Sequence, residues 1–233
     1  MKGAKQNVIV VDDNAAERQS AVELLGAQKY AVVAFTNATD YLEAEPPSGP
    51  TCLVVAAQLP GPDGLELLRR LTELGRCEPI VFTTNDHDVA TGIRAMKAGA
   101  VDYLLRPFED GALLAAVVRG LARSEAEQRA RDEVHDARAR VDALTERQRD
   151  VLRLVMAGWL NKQICDKLQA ALRTVKRHRA VIMRITGAQS VADLIRLGRR
   201  AGLELEPPPV EQSDDREAPD DSSPARRSGT KVQ

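Results

Sequence analysis

The first 120 residues alternate short, continuously apolar runs with stretches of helical periodicity, and few architectures accept that alternation. Asn7–Val11, Ala31–Phe35, Cys52–Ala57, Pro79–Thr83 and Asp102–Leu105 read as strands. Ala15–Gln28, Leu65–Leu74 and Val89–Ala98 read as helices between them, and a long helix starts near Asp110, behind Pro107. A strand that is apolar at every position must be covered on both faces, which implies a parallel sheet between two layers of helices. Ligands of such sheets sit at the carboxyl ends of the strands. Those ends carry Asp12-Asp13, Ala56-Ala57-Gln58, Thr83-Thr84 and Leu105-Arg106-Pro107.

The remainder of the chain has a different pattern. Residues 110–143 are rich in Ala, Arg and Glu and contain no proline. They read as a helical connector in which Val134, Ala137, Val141 and Leu144 form a stripe with steps of 3, 4 and 3. Pairing with a second copy and a single solvated helix both fit that stripe. Residues 144–203 are helical throughout, and the Pro-, Ser- and charge-rich residues 204–233 are expected to form a disordered tail.

Charge separates along these divisions. Residues 144–203 hold 13 basic and 4 acidic side chains, net +9, whereas residues 1–108 hold 10 and 14, net −4. A basic block inside an otherwise acidic chain is an electrostatic footprint for a polyanion, most often nucleic acid. The three cysteines (Cys52, Cys77, Cys165) are isolated, so neither a disulfide framework nor a zinc site is expected. With no apolar run of the roughly 20 residues a membrane span needs, a cytoplasmic protein is expected, with no membrane partner.

Asp12 and Asp13, adjacent at a strand end, are the kind of oxygen donors that bind a hard cation. The third carboxylate that would complete such a site is missing, because Leu53–Leu59 contains no Asp, Glu, Ser or Thr. Together with CLVVAAQLPGPDGLELLRRL and PIVFTTNDHDVATGIRAMKAGAVDYLLRPF, the acid pair resembles the receiver domain of two-component response regulators over about residues 5–125. The resemblance implies a flavodoxin-like α/β fold with a five-stranded parallel sheet of order 2-1-3-4-5. It places Ala56 where the family has its phosphoaccepting aspartate. Asp12 and Asp13 match the metal-binding pair, Thr84 the hydroxyl, Tyr103 the switch aromatic and Arg106 the lysine.

Without a carboxylate at position 56 there is no nucleophile for phosphoryl transfer, and no enzyme activity, catalytic residue or resident metal is expected. Magnesium binding at Asp12 and Asp13 would be weak at most. An arginine at 106 favours forked carboxylate pairing where lysine acts as a point charge, so pairing with Asp12 or Asp13 is expected. A pocket kept only for its fold, and one retuned for a protein or small-molecule ligand, both remain open at this point.

In residues 144–203, Thr145 precedes a helix as an N-cap, Asn161–Leu168 reads as a short helix, Leu172–Ile185 as a longer one and Val191–Ala201 as the last. The third helix carries Val175 and Ile182 on one side and Arg173, Arg177, Ala180 and Arg184 on the other, with Lys176 beside them. LTERQRDVL, NKQI and RTVKRHR give this segment its resemblance to the LuxR-type helix-turn-helix of the FixJ/NarL response regulators. It implies an all-α four-helix domain that binds double-stranded DNA, with Lys176, Arg177 and Ala180 toward bases and Lys162, Arg173, Thr174, Arg179 and Arg184 as further contacts. It also implies a homodimer surface around Leu194, Leu197 and Arg199. Gln169 departs from the family's usual glycine in the turn, and His178 is expected to pack at the core edge.

The expected organisation is a receiver-like domain at 1–122, a helical linker at 123–143, a helix-turn-helix domain at 144–203 and the tail. The expected function is a sequence-specific transcription regulator not controlled by aspartyl phosphorylation. The alternative is an interaction partner that heterodimerises with another response regulator and titrates it.

Overall fold

A computed structural model describes residues 5–204, so the expected tail, 204–233, lies almost wholly outside the described residues. The chain divides into two compact units between Ala139 and Arg140. In the first, strands β1 (Asn7–Val11), β2 (Ala31–Phe35), β3 (Thr51–Ala56), β4 (Ile80–Thr84) and β5 (Asp102–Leu105) form one sheet in the order β2-β1-β3-β4-β5. All four pairings are parallel. Helices α1 (Ala15–Ala27), α2 (Ala38–Glu43), α3 (Gly64–Glu73) and α4 (Val89–Lys97) connect them, and α5 (Asp110–Asp142) follows β5. The short α2 has no counterpart among the helices expected from periodicity, since six residues are too few to display a helical repeat.

The strict period of two along each strand divides the apolar side chains between two cores. Val8, Val10, Cys52, Val54 and Val81 pack with Leu25 of α1 and with Leu113, Ala116, Val117 and Leu121 of α5. Ile9, Val11, Leu53, Val55 and Phe82 pack on the opposite face with Tyr41 of α2, Leu67 and Leu71 of α3 and Ala95 of α4. β3 and β4 are buried at every position, as a central parallel strand must be, whereas β2, at the sheet edge, is only partly covered. The register Val11↔Val55, Ala56↔Thr83 and Thr84↔Leu105 aligns the carboxyl ends of the four neighbouring strands. Residues 12, 56, 84 and 106 therefore share one edge of the sheet.

The residues expected as a separate linker are the later part of α5, one helix of 33 residues. No proline interrupts it, and Gly111 and Gly120 are its only glycines, so nothing in the chain marks a break. Val141 and Leu144 of the stripe belong to the core of the second unit, so those two positions are not available to pair with another copy.

The second unit holds α6 (Glu146–Met156), α7 (Asn161–Leu168), α8 (Leu172–Thr186) and α9 (Val191–Ala201). Thr145 caps α6 in a reciprocal capping box with Gln148, and Ser190 caps α9 with Asp193 in the same way. Leu152, Val155, Trp159, Ile164, Val175, Ile182 and Leu194 make the core. The turn from α7 to α8 closes through Gln169 at φ 48°, ψ 48°, the left-handed region where glycine costs least. The Arg147 guanidinium donates to the Leu168 carbonyl oxygen at the same turn.

Candidate functional site

At the carboxyl edge of the sheet, Asp12, Asp13, Ala56, Gln58, Thr84 and Arg106 border a cavity of about 240 Å³. Asp12 is 2 % exposed and Ala56 6 %, while Asp13 is open to solvent. Both oxygens of Asp12 are engaged. Oδ1 accepts from the Asn14 backbone N–H at 2.9 Å, and Oδ2 accepts from Nη2 of Arg106 at 2.6 Å. The same Nη2 donates to the Thr83 hydroxyl at 2.9 Å. Arg106 Nε is buried without a hydrogen bond, and Glu17 Oε2 stands 3.4 Å from it, an ion-pair distance without hydrogen-bond geometry.

Sheet pleating explains this set. Val54 and Val81 face α1 and α5, so Ala56 and Thr83, two residues further along, face the same way. Leu104 packs on that face too, which directs Arg106 toward it. Thr84 falls on the other face, and its hydroxyl accepts from the Asp86 backbone N–H at 3.0 Å. Tyr103, also on that face, is half-buried, with its ring 6.3 Å from that of Phe82 and against Gly92. Thr83, Asn14 and Glu17 were not singled out from the sequence. β4 is buried on both faces, so its apolar pattern carries no signal that separates Thr83 from Thr84.

The receiver resemblance implies magnesium, and the donor set does not fit it. Asp12 is committed to Arg106 and Asn14, and the alanine at 56 supplies no side-chain oxygen. Among the described residues no group of three or more His, Cys, Asp or Glu side chains is placed to hold a metal ion.

In the second unit, Lys162, Arg173, Thr174, Lys176, Arg177, Ala180 and Arg184 are exposed, while Val175 and Ile182 of α8 are buried. The basic and apolar stripes of α8 are thus on opposite sides of one helix. Arg179 is half-buried and donates to the Asn161 side-chain oxygen at 2.9 Å, tying α8 to the start of α7. That internal bond uses part of the guanidinium expected to contact phosphate. His178 is half-buried.

One expectation needs correction. Leu194 is 3 % exposed within the helical core, so it cannot lie on a dimer surface. Leu197 packs partly against the same core, and Arg199 is exposed. The hydrophobic repeat of α9 gives its apolar face, but the same repeat suits a core and an interface equally.

Comparison with known proteins agrees with both halves. The response regulator receiver domain family matches residues 8–118, and the family of bacterial regulatory proteins, luxR family, matches residues 142–197. Nodulation protein W of Bradyrhizobium diazoefficiens is 37% identical over 199 residues, covering 85% of this chain and 88% of that protein. The transcriptional regulatory protein FixJ of the same organism is 36% identical over 199 residues, covering 85% of this chain and 97% of FixJ. The solved structure of the response regulator StyR superimposes with a TM-score of 0.77 at 38% identity, over 84% of this chain and 100% of StyR. With a receiver fold of strand order 2-1-3-4-5 ahead of a LuxR-type domain, the chain belongs to the FixJ-like response regulators, a family of two-component transcription regulators.

Proposed function

We propose that this chain is a sequence-specific DNA-binding transcription regulator whose receiver is not switched by aspartyl phosphorylation. The observation that carries the reading is the methyl group of Ala56 at the strand end between Asp12 and Thr84, where phosphoryl transfer needs a carboxylate nucleophile. Arg106 supports it, because its buried ion pair with Asp12 engages both the carboxylate that the resemblance assigns to metal and the side chain that it assigns to phosphate. The exposed basic stripe of α8, with Lys176, Arg177 and Arg173, supports binding to the DNA major groove.

A single experiment tests both parts. Binding of the full-length protein to promoter-derived DNA is measured with and without acetyl phosphate and magnesium, alongside intact mass. Unchanged affinity and mass are expected, with a log–log salt slope of about −0.9 for each phosphate neutralised. A phosphoryl mass gain that alters affinity sinks the receiver reading. Lys176→Ala and Arg177→Ala variants that bind DNA as the parent does would sink the recognition-helix assignment.

One further observation favours self-association through the receiver. Val89, Ile93, Met96 and Leu105 are all at least 39% exposed along α4 and the end of β5. An apolar face of this kind suits a second copy, and in the alternative reading it suits a related receiver that the chain titrates. A concentration-dependent dimer weakened by Ile93→Glu supports the first; a strict monomer that captures a phosphorylatable relative supports the second.

A further inference from the structure

Sequence-specific binding needs two kinds of contact in a fixed relation. Phosphate contacts set the register of a protein on the duplex, and base-edge contacts read the sequence. In the second unit the candidates for the two fall on different helices. Lys162 is exposed at the start of α7, whereas Lys176 and Arg177 are exposed on α8. A register set through α7 serves the readers on α8 only if the two helices are held at one angle.

The turn at Gln169 joins the end of α7 to α8, and Ile164 of α7 packs with Val175 and Ile182 of α8 in the core. Apolar packing is non-directional and the turn constrains one end of α7. A hydrogen bond adds direction, and Arg179 Nη1 donates one to Asn161 Oδ1 at 2.9 Å, across 18 residues of chain. Asn161 is the first residue of α7 and adjoins Lys162. Arg179 lies four residues after buried Val175 and three after exposed Lys176, so it leaves α8 at the border between the core and the basic stripe. Both Asn161 and Arg179 are half-buried. At the other end of α7 the Arg147 guanidinium donates to the Leu168 carbonyl oxygen, so α7 is tied by an arginine at each end.

We propose that Arg179 and Asn161 are a positioning pair that sets the angle between α7 and α8, through which Arg179 contributes sequence selectivity without contacting phosphate. This rests on the reading of the second unit as a DNA-binding domain. It gives Arg179 a role other than the phosphate contact that the family resemblance implies.

The test begins with the full-length protein enriching a site from a pool of random duplexes. Affinities for that site and for a random-sequence duplex of equal length give a selectivity ratio for the parent and each variant. Asn161→Ala leaves every positive charge in place, yet should lower the ratio by at least about tenfold, the scale of a hydrogen bond to a charged group. Arg179→Met should match it. The double variant should fall no further than either single one, because all three lose the same interaction. Asn161→Asp keeps an acceptor and should return the ratio to that of the parent. On the random duplex the log–log salt slope of Arg179→Met should equal the parent's, whereas loss of a phosphate contact would make it shallower by about 0.9.

That shallower slope, a parental ratio in Asn161→Ala, or a ratio that Asn161→Asp fails to recover would each overturn the proposal. A lowered melting temperature with the ratio intact would overturn it too, by showing a bond that only stabilises the fold. A parent that enriches no site would overturn the DNA-binding reading itself, and the role of the pair with it.

Discussion

The Thr83 hydroxyl stands 2.9 Å from Nη2 of Arg106, while its neighbour Thr84 faces the other side of the sheet and accepts from Asp86. Two adjacent threonines at one strand end therefore serve two different networks. The two threonines bordering the cavity of about 240 Å³ are thereby split between the two faces of the sheet.

The ion pair between Arg106 and Asp12 has side-chain exposures of 11% and 3%. Removing the arginine alone leaves a buried carboxylate without its partner, so Arg106→Ala should destabilise the receiver by about 3–5 kcal/mol. The double variant Asp12→Leu, Arg106→Met removes both charges and should recover most of the loss. Urea denaturation of the three proteins checks this, and a neutral Arg106→Ala shift would contradict the pairing.

Three glycines should respond differently to alanine. A Cβ at Gly64 would lie 2.7 Å from the buried Phe82 ring and 3.0 Å from the Ala56 carbonyl oxygen, and one at Gly120 would overlap the buried Cys52 Sγ. Both substitutions overpack the core and should cost about 1–3 kcal/mol. Gly26, inside α1 with nothing within 4 Å, should gain about 0.5–1 kcal/mol from alanine. Thermal denaturation that fails to separate Gly26→Ala from the other two would refute the packing account.

Burial pushes the Cys52 thiol up from 9.0 to about 12. The unfolded thiol thus ionises first, so the stability linked to this group is complete below pH 9.0 and falls as pH rises toward 12. The slope in that window is about 1.4 kcal/mol per pH unit. Burial and then Glu78 raise Tyr41 in the same direction, adding to the loss above pH 10.0. Cys52→Ala should lose less stability than the parent between pH 9 and 10. In the native state at pH 8 a thiol reagent should label exposed Cys77 and spare Cys52.

Gln169 holds a left-handed conformation that costs a side-chain-bearing residue about 1–2 kcal/mol, against about 0.5–1 kcal/mol of extra chain entropy for glycine. Gln169→Gly should therefore stabilise the helical unit by about 0.5–1 kcal/mol, read as a rise in its melting temperature with DNA affinity unchanged. A fall would show that the glutamine side chain makes a contact worth more than the strain.

The sheet was legible because its strands are apolar at nearly every position, and the cap residue Thr145 marks a helix start as sequence rules require. Asp12 and Arg106 could be selected from their strand ends. What could not be read was direction: Thr83 rather than Thr84 meets the arginine because of which pleat face β4 presents. Leu194 was misplaced for a related reason. An apolar stripe on a helix states that it will be covered, and only three-dimensional packing states whether the cover is the same chain or another. α2 was missed because six residues hold too little pattern.

The methyl group at position 56 also bears on time. An acyl phosphate persists after its donor has gone, so a receiver that carries one retains a record of past stimulation. A side chain that cannot form that bond keeps no such record. Under the function proposed here, the regulator's memory is no longer than the residence of whatever occupies it, and transcription follows the present concentration of the signal instead of its history.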